Sequence, residues 1–463
     1  MPKRPQHKTQ MLDTEITVLL DTFRRLIRRK AKTNLKKLLQ KTHPANLAQL
    51  FRYFTHLERS NLFDLMDREE HTGEFLTELD SSIAEEIMEP LDASEIANLL
   101  HYLSSDDAAD LLNILSEKKS GEVLELFKRE ESEEVEELMA YDPDTAGGIM
   151  TIEVFSLPET TKVSDAIAAI QTSEEAEMVF YLYVTDDDNK LTGVISLREL
   201  VTVQPDSDLR SIMLKDVVSV TPEMDQEEVA RKVSQYNLLA IPVVDVNNTL
   251  LGFVTVDDVV DVIREEATED FLQMAGVGKD REILMKSTWG NARLRLPWLF
   301  ATWLGGIFVS WMTGYFEPVL MSTVALPAFI PVIIGMGGNV GTQSSTIIIR
   351  GIATGRVQLG HVWSIIFKEI RVGLLLGIFY GFLLGIVASL GIVDTPPRIG
   401  IVVGLSICSS MLIATSLGTT VPIFLRKLDV DPAVASGPFV TTATDVLGIL
   451  FYFIIAASLL TTI

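Results

Sequence analysis

The stretch Gly437-Pro-Phe-Val-Thr-Thr-Ala-Thr-Asp445-Val-Leu-Gly448 opens the last hydrophobic segment of the chain and places a carboxylate inside it. A charged side chain near the centre of a bilayer costs at least about 2.5 kcal/mol, so it usually faces water, an ion or a polar partner. On a helix, four residues share one face because they are spaced i, i+3, i+4 and i+7: Thr441, Thr444, Asp445 and Gly448. This face predicts an ion site, or a helix contact in which threonine hydroxyls donate hydrogen bonds to Asp445.

Hydrophobic segments of the length that a bilayer requires fill the last third of the chain. There are five, at about 296–316, 320–349, 372–393, 399–425 and 433–461. Lysine and arginine concentrate before the first segment, between the second and third, and between the fourth and fifth. The positive-inside rule therefore predicts a multi-pass protein of the cell membrane with a cytoplasmic N-terminus and an external C-terminus. No signal peptide is expected at the N-terminus, because no apolar core follows its basic residues.

The second hydrophobic segment contains Pro327 and Pro331, and a run rich in glycine and small polar residues follows them at 335–345. Two interpretations fit this composition. The prolines are expected to interrupt the segment, and irregular or small-residue backbone at membrane depth is tolerated where it is buried in protein or lines a wet cavity. Small residues also allow close packing between membrane helices.

Charge divides the chain into three parts. The net charge is -24, yet residues 1–41 carry +9 (12 basic, three acidic) and residues 291–463 carry +3 (nine basic, six acidic), which leaves -36 for residues 42–290. A folded region that acidic needs counter-ions, metal cations or a basic partner, and it repels nucleic acid. The single cysteine, Cys408, excludes an intramolecular disulfide.

Residues 1–41 alternate basic and apolar side chains in a pattern typical of an amphipathic helix. Such a helix could lie on anionic lipid, dock on the acidic region that follows, or simply present a solvated face. Residues 42–142 then repeat a short helical unit, seen in "SIAEEIMEPL" and "DAADLLNIL". Repeated units of this kind stack into an all-α superhelical scaffold.

Residues 143–203 and 204–262 repeat one another, each with a strand, a helix, two β-rich runs around an asparagine-containing turn, and a second helix. They resemble a tandem CBS pair, an α/β module whose relatives bind adenine nucleotides or metal ions. In such modules a Ser/Thr-x-x-Asp motif often holds a ribose; the first repeat has Ser196 and Glu199, and the second has Thr255 and Asp258. The resemblance implies a nucleotide site, with ATP as the candidate cofactor, at Tyr181, Arg198 and Glu199. An exposed helix arginine is the alternative reading of Arg198.

A long connecting helix, assigned to residues 263–292, is predicted between this pair and the membrane. Its beginning is crowded with carboxylates, four of which share one side at i, i+3, i+7 and i+11: Asp258, Asp261, Glu265 and Glu269. Like charges at this spacing destabilise a helix, which favours a cation site over a solvated acidic face.

The sequences "GGNVGTQS" and "GPFVTTATD", placed after an acidic helical repeat and a CBS-like pair, resemble the MgtE family of magnesium channels over roughly residues 45–463. This resemblance implies a homodimer with five membrane helices per subunit and a pore on the two-fold axis. The implied pore residues are Asp445, Thr441, Thr444, Asn339, Gly437 and Pro438. The implied regulatory Mg²⁺ ligands are Asp106, Asp107, Asp110, Asp225, Glu227, Asp258, Asp261, Glu266, Glu269 and Asp270, and Asn237 stands where the family pattern has an acid.

The sequence thus predicts a multidomain protein. Its parts are a basic extension (1–41), an all-α superhelical N-terminal domain (42–142), an α/β tandem CBS pair (143–203 and 204–262), a long connecting helix (263–292) and an α-helical transmembrane domain of five helices (293–463). The predicted function is Mg²⁺ transport through a homodimeric channel that cytoplasmic Mg²⁺ closes. A proton- or sodium-coupled transporter of a divalent cation or other solute, and a membrane-anchored nucleotide sensor, are the alternatives. No nucleic-acid partner is expected, and no enzyme, since the sequence shows no P-loop, catalytic triad or zinc-spaced Cys/His set.

Overall fold

A computed structural model describes residues 8–67, 69–172, 180–278, 283, 286–322, 325–357, 362–390, 398–428, 430–435 and 437–460. The chain divides into two compact units, residues 1–262 and 263–463. Parts of the predicted extension, connecting helix and membrane segments lie outside the described residues, namely 1–7, 279–282, 284–285, 323–324, 391–393, 436 and 461.

The first part of the N-terminal unit is a stack of ten helices, as the predicted superhelical fold requires. From α3 to α10, each helix packs on the second one after it, so that hydrophobic faces form one continuous core around side chains such as Phe51, Phe75 and Leu99. The helices are α1 Lys8–Arg28, α2 Lys32–Lys41, α3 Pro44–Phe51, α4 His56–Phe63, α5 Glu70–Thr77, α6 Ser81–Met88, α7 Ala93–Leu100, α8 Ser105–Ile114, α9 Glu117–Leu124 and α10 Arg129–Met139.

The basic extension is a pair of helices, α1 and α2, joined by a short turn in which Lys30 has a φ of 51°. Phe23, Leu35 and Leu39 are buried in the core of the helical stack, whereas Val18 is 60% exposed. The predicted amphipathic pattern is therefore present, and most of its described apolar side chains pack against protein.

The CBS pair contains two β-α-β-type repeats. In the first, β1 is parallel to β2 and β2 is antiparallel to β3; in the second, β4 is antiparallel to β5. The elements are β1 Ser156–Pro158, α11 Val163–Thr172, β2 Tyr181–Thr185, β3 Leu191–Ser196, α12 Leu197–Thr202, α13 Leu209–Ile212, α14 Gln226–Tyr236, β4 Ala240–Val244, β5 Leu250–Thr255 and α15 Val256–Met274. The predicted asparagine turns are present, because Asn189 and Asn248 take the left-handed conformation with φ of 58° and 67°.

The first strand predicted for the second repeat is reduced to a single parallel bridge between Val220 and Val243. Val220 donates to the carbonyl of Pro242 and accepts from the amide of Val244. Pro222, two residues later, has no N–H to continue the ladder, so the pairing ends there.

The connecting helix α15 ends at Met274, and the next helix begins at Thr288. The predicted span 263–292 therefore holds the end of one helix and the start of another. Gly276, with a φ of 70°, lies just beyond the end of α15, where glycine commonly terminates a helix.

The C-terminal unit is a helical bundle built around one central helix. α20 packs on α18, α19 and α21, and α16 packs on α21. The helices are α16 Thr288–Tyr315, α17 Glu317–Ser322, α18 Leu326–Ala353, α19 Val362–Ser389, α20 Arg398–Lys427, a 3₁₀ turn Pro432–Ala435, and α21 Pro438–Leu460. Among the described residues, α16, α19, α20 and α21 are long and apolar enough to cross a membrane. α18 has 28 residues but is not among these four, so a fifth crossing depends on it.

The expected break in the second hydrophobic segment is not at its prolines. Pro327 occupies the first turn of α18, where its missing N–H costs little, and the helix continues through Pro331 and the glycine-rich run to Ala353. The backbone of this run is helical, so the expected interruption is wrong. The close contacts of its glycines support packing through small residues, which was the second interpretation. The segment instead begins in the separate short helix α17.

Candidate ion site and acidic cleft

The motif around Asp445 forms the first two turns of α21. Pro438 lies at the first helical position, which suits its fixed φ, and the amide and hydroxyl of Thr441 donate to the carbonyl of Gly437 at 3.2 and 3.0 Å. Seven residues inside the helix, Asp445 is half-buried in an otherwise apolar segment. The predicted helical face is thus formed, with the carboxylate about 10 Å from the start of the helix at 1.5 Å per residue.

Three glycines of α18 lie against this face. A Cβ on Gly338 would lie 3.2 Å from Thr441 Cγ2 and 3.6 Å from Asp445 Oδ1, and a Cβ on Gly341 would lie 3.1 Å from Thr444 Oγ1. A Cβ on Gly337 would lie only 2.5 Å from Ser410 Oγ of α20. Helices α18, α20 and α21 therefore meet here at a distance that side chains larger than glycine would prevent.

Asp445 makes no hydrogen bond to any described residue, and its Oδ1 is buried. The predicted alternative, in which threonine hydroxyls donate to this carboxylate, is therefore absent from the described contacts. Thr444 Oγ1 and Ser410 Oγ are likewise buried without a hydrogen-bond partner among those residues. A buried polar atom without a partner costs about 1–3 kcal/mol, a cost that a water molecule or a hydrated ion at this position would remove.

The remaining predicted pore residues are divided between surface and interior. Asn339 is exposed on α18, directly after Gly338, where an added Cβ would lie 3.6 Å from Asp445 Oδ1. Thr444 is only 1% exposed and lies between helices, and Gly437 is also buried. Ser410 was not predicted from the sequence, because a serine in an apolar helix is an ordinary residue until its neighbours are known.

The end of the connecting helix contacts the start of α21. A Cβ on Gly437 would lie 2.5 Å from the carbonyl oxygen of Met274, and a Cβ on Gly276 would lie 2.7 Å from Pro438 Cγ. Both glycines are thus needed for this close approach, and Gly276 also needs its positive φ.

A polar cleft of about 610 Å³ occupies the N-terminal unit. Seven described carboxylates line it: the predicted Asp106, Asp107, Asp258 and Asp261, together with Glu78, Glu153 and Asp257, which were not among the predicted ligands. Asp106 and Asp107 come from the first turn of α8, and Asp257 and Asp258 from the first turn of α15. Negative charge is favourable at helix N-termini, which helps these acids to coexist.

Three of these acids have pKa values above those of ordinary carboxyl groups. Burial, together with the charge of Asp106, raises the pKa of Asp107 to about 6. Burial raises the pKa of Asp258 to about 7, although the hydrogen bond from Thr255 lowers it. Burial also raises the pKa of Glu153, against hydrogen bonds from Ser105. Repulsion among these carboxylates is the kind that a divalent cation relieves.

No three acidic, histidine or cysteine side chains among the described residues are arranged closely enough to hold a metal ion. The acids of the cleft thus lie in one cavity without forming a finished coordination sphere. Of the other predicted ligands, Asp110 is exposed on α8, and Glu269 accepts a hydrogen bond from Gln273 at 2.8 Å. Glu266 and Asp270 lie on the same helix as Glu269.

Asp225 and Glu227 lie at the start of α14, where Asp225 accepts the amide of Glu227 at 2.9 Å as a helix cap. Asn237 ends the same helix with a φ of 52°. Asparagine adopts this left-handed conformation more easily than most residues, so Asn237 has a backbone role where the family pattern has an acid.

The structure places one of the three predicted nucleotide-binding residues in the acidic cleft. Tyr181 lines the acidic cleft, whereas Arg198 and Glu199 are not among the residues that line it. Glu199 accepts hydrogen bonds from the amide and hydroxyl of Ser196 at 3.4 and 3.1 Å, forming a capping box at the start of α12. Arg198 is exposed.

Comparison with known proteins covers each part of the chain. Residues 330–455 match a family described as divalent cation transporter, residues 42–144 match the MgtE intracellular N domain, and residues 146–206 and 209–265 match CBS domains. Among solved structures, the soluble part of a magnesium transporter aligns with 55% of this chain and 99% of its own, at 31% identity and a TM-score of 0.47. The cytosolic domain of the Mg²⁺ channel MgtE in complex with ATP aligns with 52% of this chain and 99% of its own, at 31% identity and a TM-score of 0.49.

Two curated relatives match over most of their length. The magnesium transporter MgtE of Bacillus subtilis is 40% identical over 322 residues, which are 69% of this chain and 71% of that protein. The magnesium transporter MgtE of Thermus thermophilus is 40% identical over 329 residues, 70% of this chain and 72% of that protein. The chain therefore belongs to the MgtE family of magnesium transporters.

Proposed function

We propose that this chain conducts Mg²⁺ across the membrane through a pore in which Asp445 is the principal ligand. The observation that carries the proposal is a carboxylate in an apolar helix that makes no hydrogen bond to a described residue and lies beside a glycine face of α18. Mg²⁺ gives up its water reluctantly and is usually bound through one or two carboxylates. Asp445 can therefore hold a hydrated ion through its water shell without the cost of full dehydration.

The pore is proposed to lie on the axis of a homodimer. One chain offers one carboxylate, and Asn339 beside it is exposed to the surroundings of that chain. A second copy would supply a second Asp445 and cover Asn339. Two carboxylates would attract a divalent ion more strongly than a monovalent one, since the electrostatic attraction scales with ion charge.

Gating is proposed to depend on the connecting helix. The first turn of α15 carries two acids of the cleft, and the far end of the same helix contacts Gly437. Mg²⁺ bound among the cleft acids would remove their repulsion and favour one position of α15, because a ligand shifts a conformational equilibrium by its differential affinity for the two states. We assign that position to the closed pore. The N-terminal unit would then be cytoplasmic, and ATP would act as a modulator bound near Tyr181.

Flux measured in proteoliposomes tests the pore. Asp445→Asn keeps the size of the side chain, and we expect it to abolish Mg²⁺ uptake while the protein still inserts and assembles. Glu317→Gln, in the short helix α17, is the matched control and should conduct normally. Uptake by Asp445→Asn at the wild-type rate would place the ion path elsewhere. Uptake that stops when proton and sodium gradients are collapsed would indicate a coupled transporter in place of a channel.

Varying Mg²⁺ on the cytoplasmic side tests the gate. The double variant Asp107→Asn, Asp258→Asn should remain conducting at internal Mg²⁺ concentrations that close the wild type, because two of the buried acids no longer attract the ion. Unchanged inhibition in this variant would remove the cleft from the gating mechanism. ATP binding with no ion flux under any condition would favour a nucleotide sensor.

A further inference from the structure

The helical hairpin α1–α2 carries a dense basic surface outside the region that matches the family, which begins at residue 42. Nine lysine and arginine residues and no acid lie between positions 24 and 41. All nine are exposed: Arg24, Arg25, Arg28, Arg29, Lys30, Lys32, Lys36, Lys37 and Lys41. The hairpin is folded against the core through its apolar face, so this surface has a fixed position on the helical domain.

Few of these basic side chains form polar contacts with the helical domain. Lys36 forms an ion pair with Asp67 at 2.5 Å, and Arg24 donates to the backbone carbonyl of Tyr53 at 3.1 Å. The other seven form no ion pair with a described residue, although residues 42–142 contain 26 acidic and only seven basic residues. Eight of the nine charges therefore have no ion pair among the described residues, on a domain that is otherwise strongly acidic.

The charges are most concentrated at the tip of the hairpin. Arg25 and Arg28 lie in the last turn of α1, Arg29 and Lys30 in the connecting turn, and Lys32 at the first position of α2. Cations at a helix C-terminus are favourable, but Lys32 lies at a helix N-terminus, where the dipole opposes it, and no acid in that turn compensates. Mutual repulsion at the tip would be relieved by an external anion.

We propose that the hairpin tip binds the anionic phosphate headgroups of the membrane in which the chain is embedded. Clusters of four to eight lysine and arginine residues are the usual means by which proteins bind anionic lipid, and arginine forms paired hydrogen bonds with phosphate oxygens. Because the C-terminal helices hold the chain in the bilayer, every copy of the hairpin is tethered to a membrane. An acidic surface on a second copy is the competing partner, and it is available only after assembly.

Lysine labelling of the full chain in lipid nanodiscs tests this binding. One preparation contains phosphatidylcholine alone, and the other also contains phosphatidylglycerol. We expect acetylation of Lys30, Lys32 and Lys37 by an amine-reactive ester to be about fivefold slower with phosphatidylglycerol. The attraction of a single cation to an anionic surface favours its bound state over its free state by roughly that factor. Lys118 and Lys119 of α9 should react equally in both preparations.

A charge-removal variant provides the second arm. Arg25→Gln, Arg28→Gln and Arg29→Gln together leave every reporter lysine in place and keep side chains that favour helix. This variant should lose most of the lipid-dependent slowing. Equal labelling of the wild type in both lipids overturns the proposal. Slow labelling in both lipids that high salt reverses would assign the surface to an acidic protein partner and also overturns it, as would slowing that extends to Lys118. None of these outcomes depends on ion transport.

Discussion

Replacing Gly437 by alanine perturbs the contact between the connecting helix and the ion-site helix. The added Cβ would lie 2.5 Å from the carbonyl oxygen of Met274 and 3.4 Å from the amide nitrogen of Gly276. Real Cβ atoms almost never come within 3.0 Å of another heavy atom, so the two segments must separate by about 0.5 Å or more. Both obstructing atoms are backbone atoms, which cannot rotate away as a side chain could. Overpacking of this kind costs about 1–3 kcal/mol.

If this contact belongs to the closed pore, that cost weakens closure. A loss of 1–3 kcal/mol corresponds to a change of about five- to 150-fold in the equilibrium between closed and open states. Gly437→Ala should therefore need correspondingly more internal Mg²⁺ to inhibit flux in proteoliposomes. Gly314→Ala is the matched control, because a Cβ there meets nothing within 4 Å. Identical inhibition curves for the two variants and the wild type, with equal insertion, would refute the assignment of this contact to the gate.

Three further outcomes follow from the described contacts. Ser410→Ala removes a buried hydroxyl that has no hydrogen-bond partner among the described residues, and it keeps the Cβ. Thermal unfolding should therefore show unchanged or slightly greater stability, by up to about 1 kcal/mol. A loss of stability would indicate that the hydroxyl serves the ion site. Asn237→Gly should be neutral or stabilising and Asn237→Val destabilising by about 1–2 kcal/mol, because the φ of 52° suits a residue without a branched Cβ. In metal-free buffer, the raised folded-state pKa of Asp258, about 7, makes folding stability fall as pH rises from about 4 to 7. Asp258→Asn should reduce that slope, which unfolding temperatures across this pH range would measure.

The sequence predicted most reliably the features that arise from local pattern. The helical repeat, the two CBS-like repeats and the apolar helices all follow from periodicity over one element, and the structure contains each of them. The face of Thr441, Thr444 and Asp445 was likewise predicted from helical spacing alone. Helical spacing could not predict which residues pack against that face. They are the glycines of α18, which lie about 100 residues earlier in the chain.

Features that depend on tertiary contacts were predicted less well. The prolines of α18 suggested a broken helix, but one lies in the first turn and the other is accommodated within a continuous helix. Glu78 and Glu153 carry no sequence pattern that marks them as cleft residues, and Asp257 was recognised only as one of the crowded acids at the start of the connecting helix. They join the predicted acids only because the fold brings the end of α5, the loop before β1, the start of α8 and the start of α15 around one cavity.

The three glycines beside Asp445 are not equivalent, and the difference bears on the ion site. A glycine in a helix costs about 1 kcal/mol relative to alanine, so each needs a compensating reason. Packing explains Gly337, since a Cβ there would lie 2.5 Å from Ser410 Oγ. At Gly338 the nearest atoms would be 3.2 and 3.6 Å away, a crowding that small shifts could relieve. Packing therefore accounts for Gly338 less completely than for Gly337. Under the proposed function, the remaining reason for this glycine is space for a hydrated cation beside Asp445.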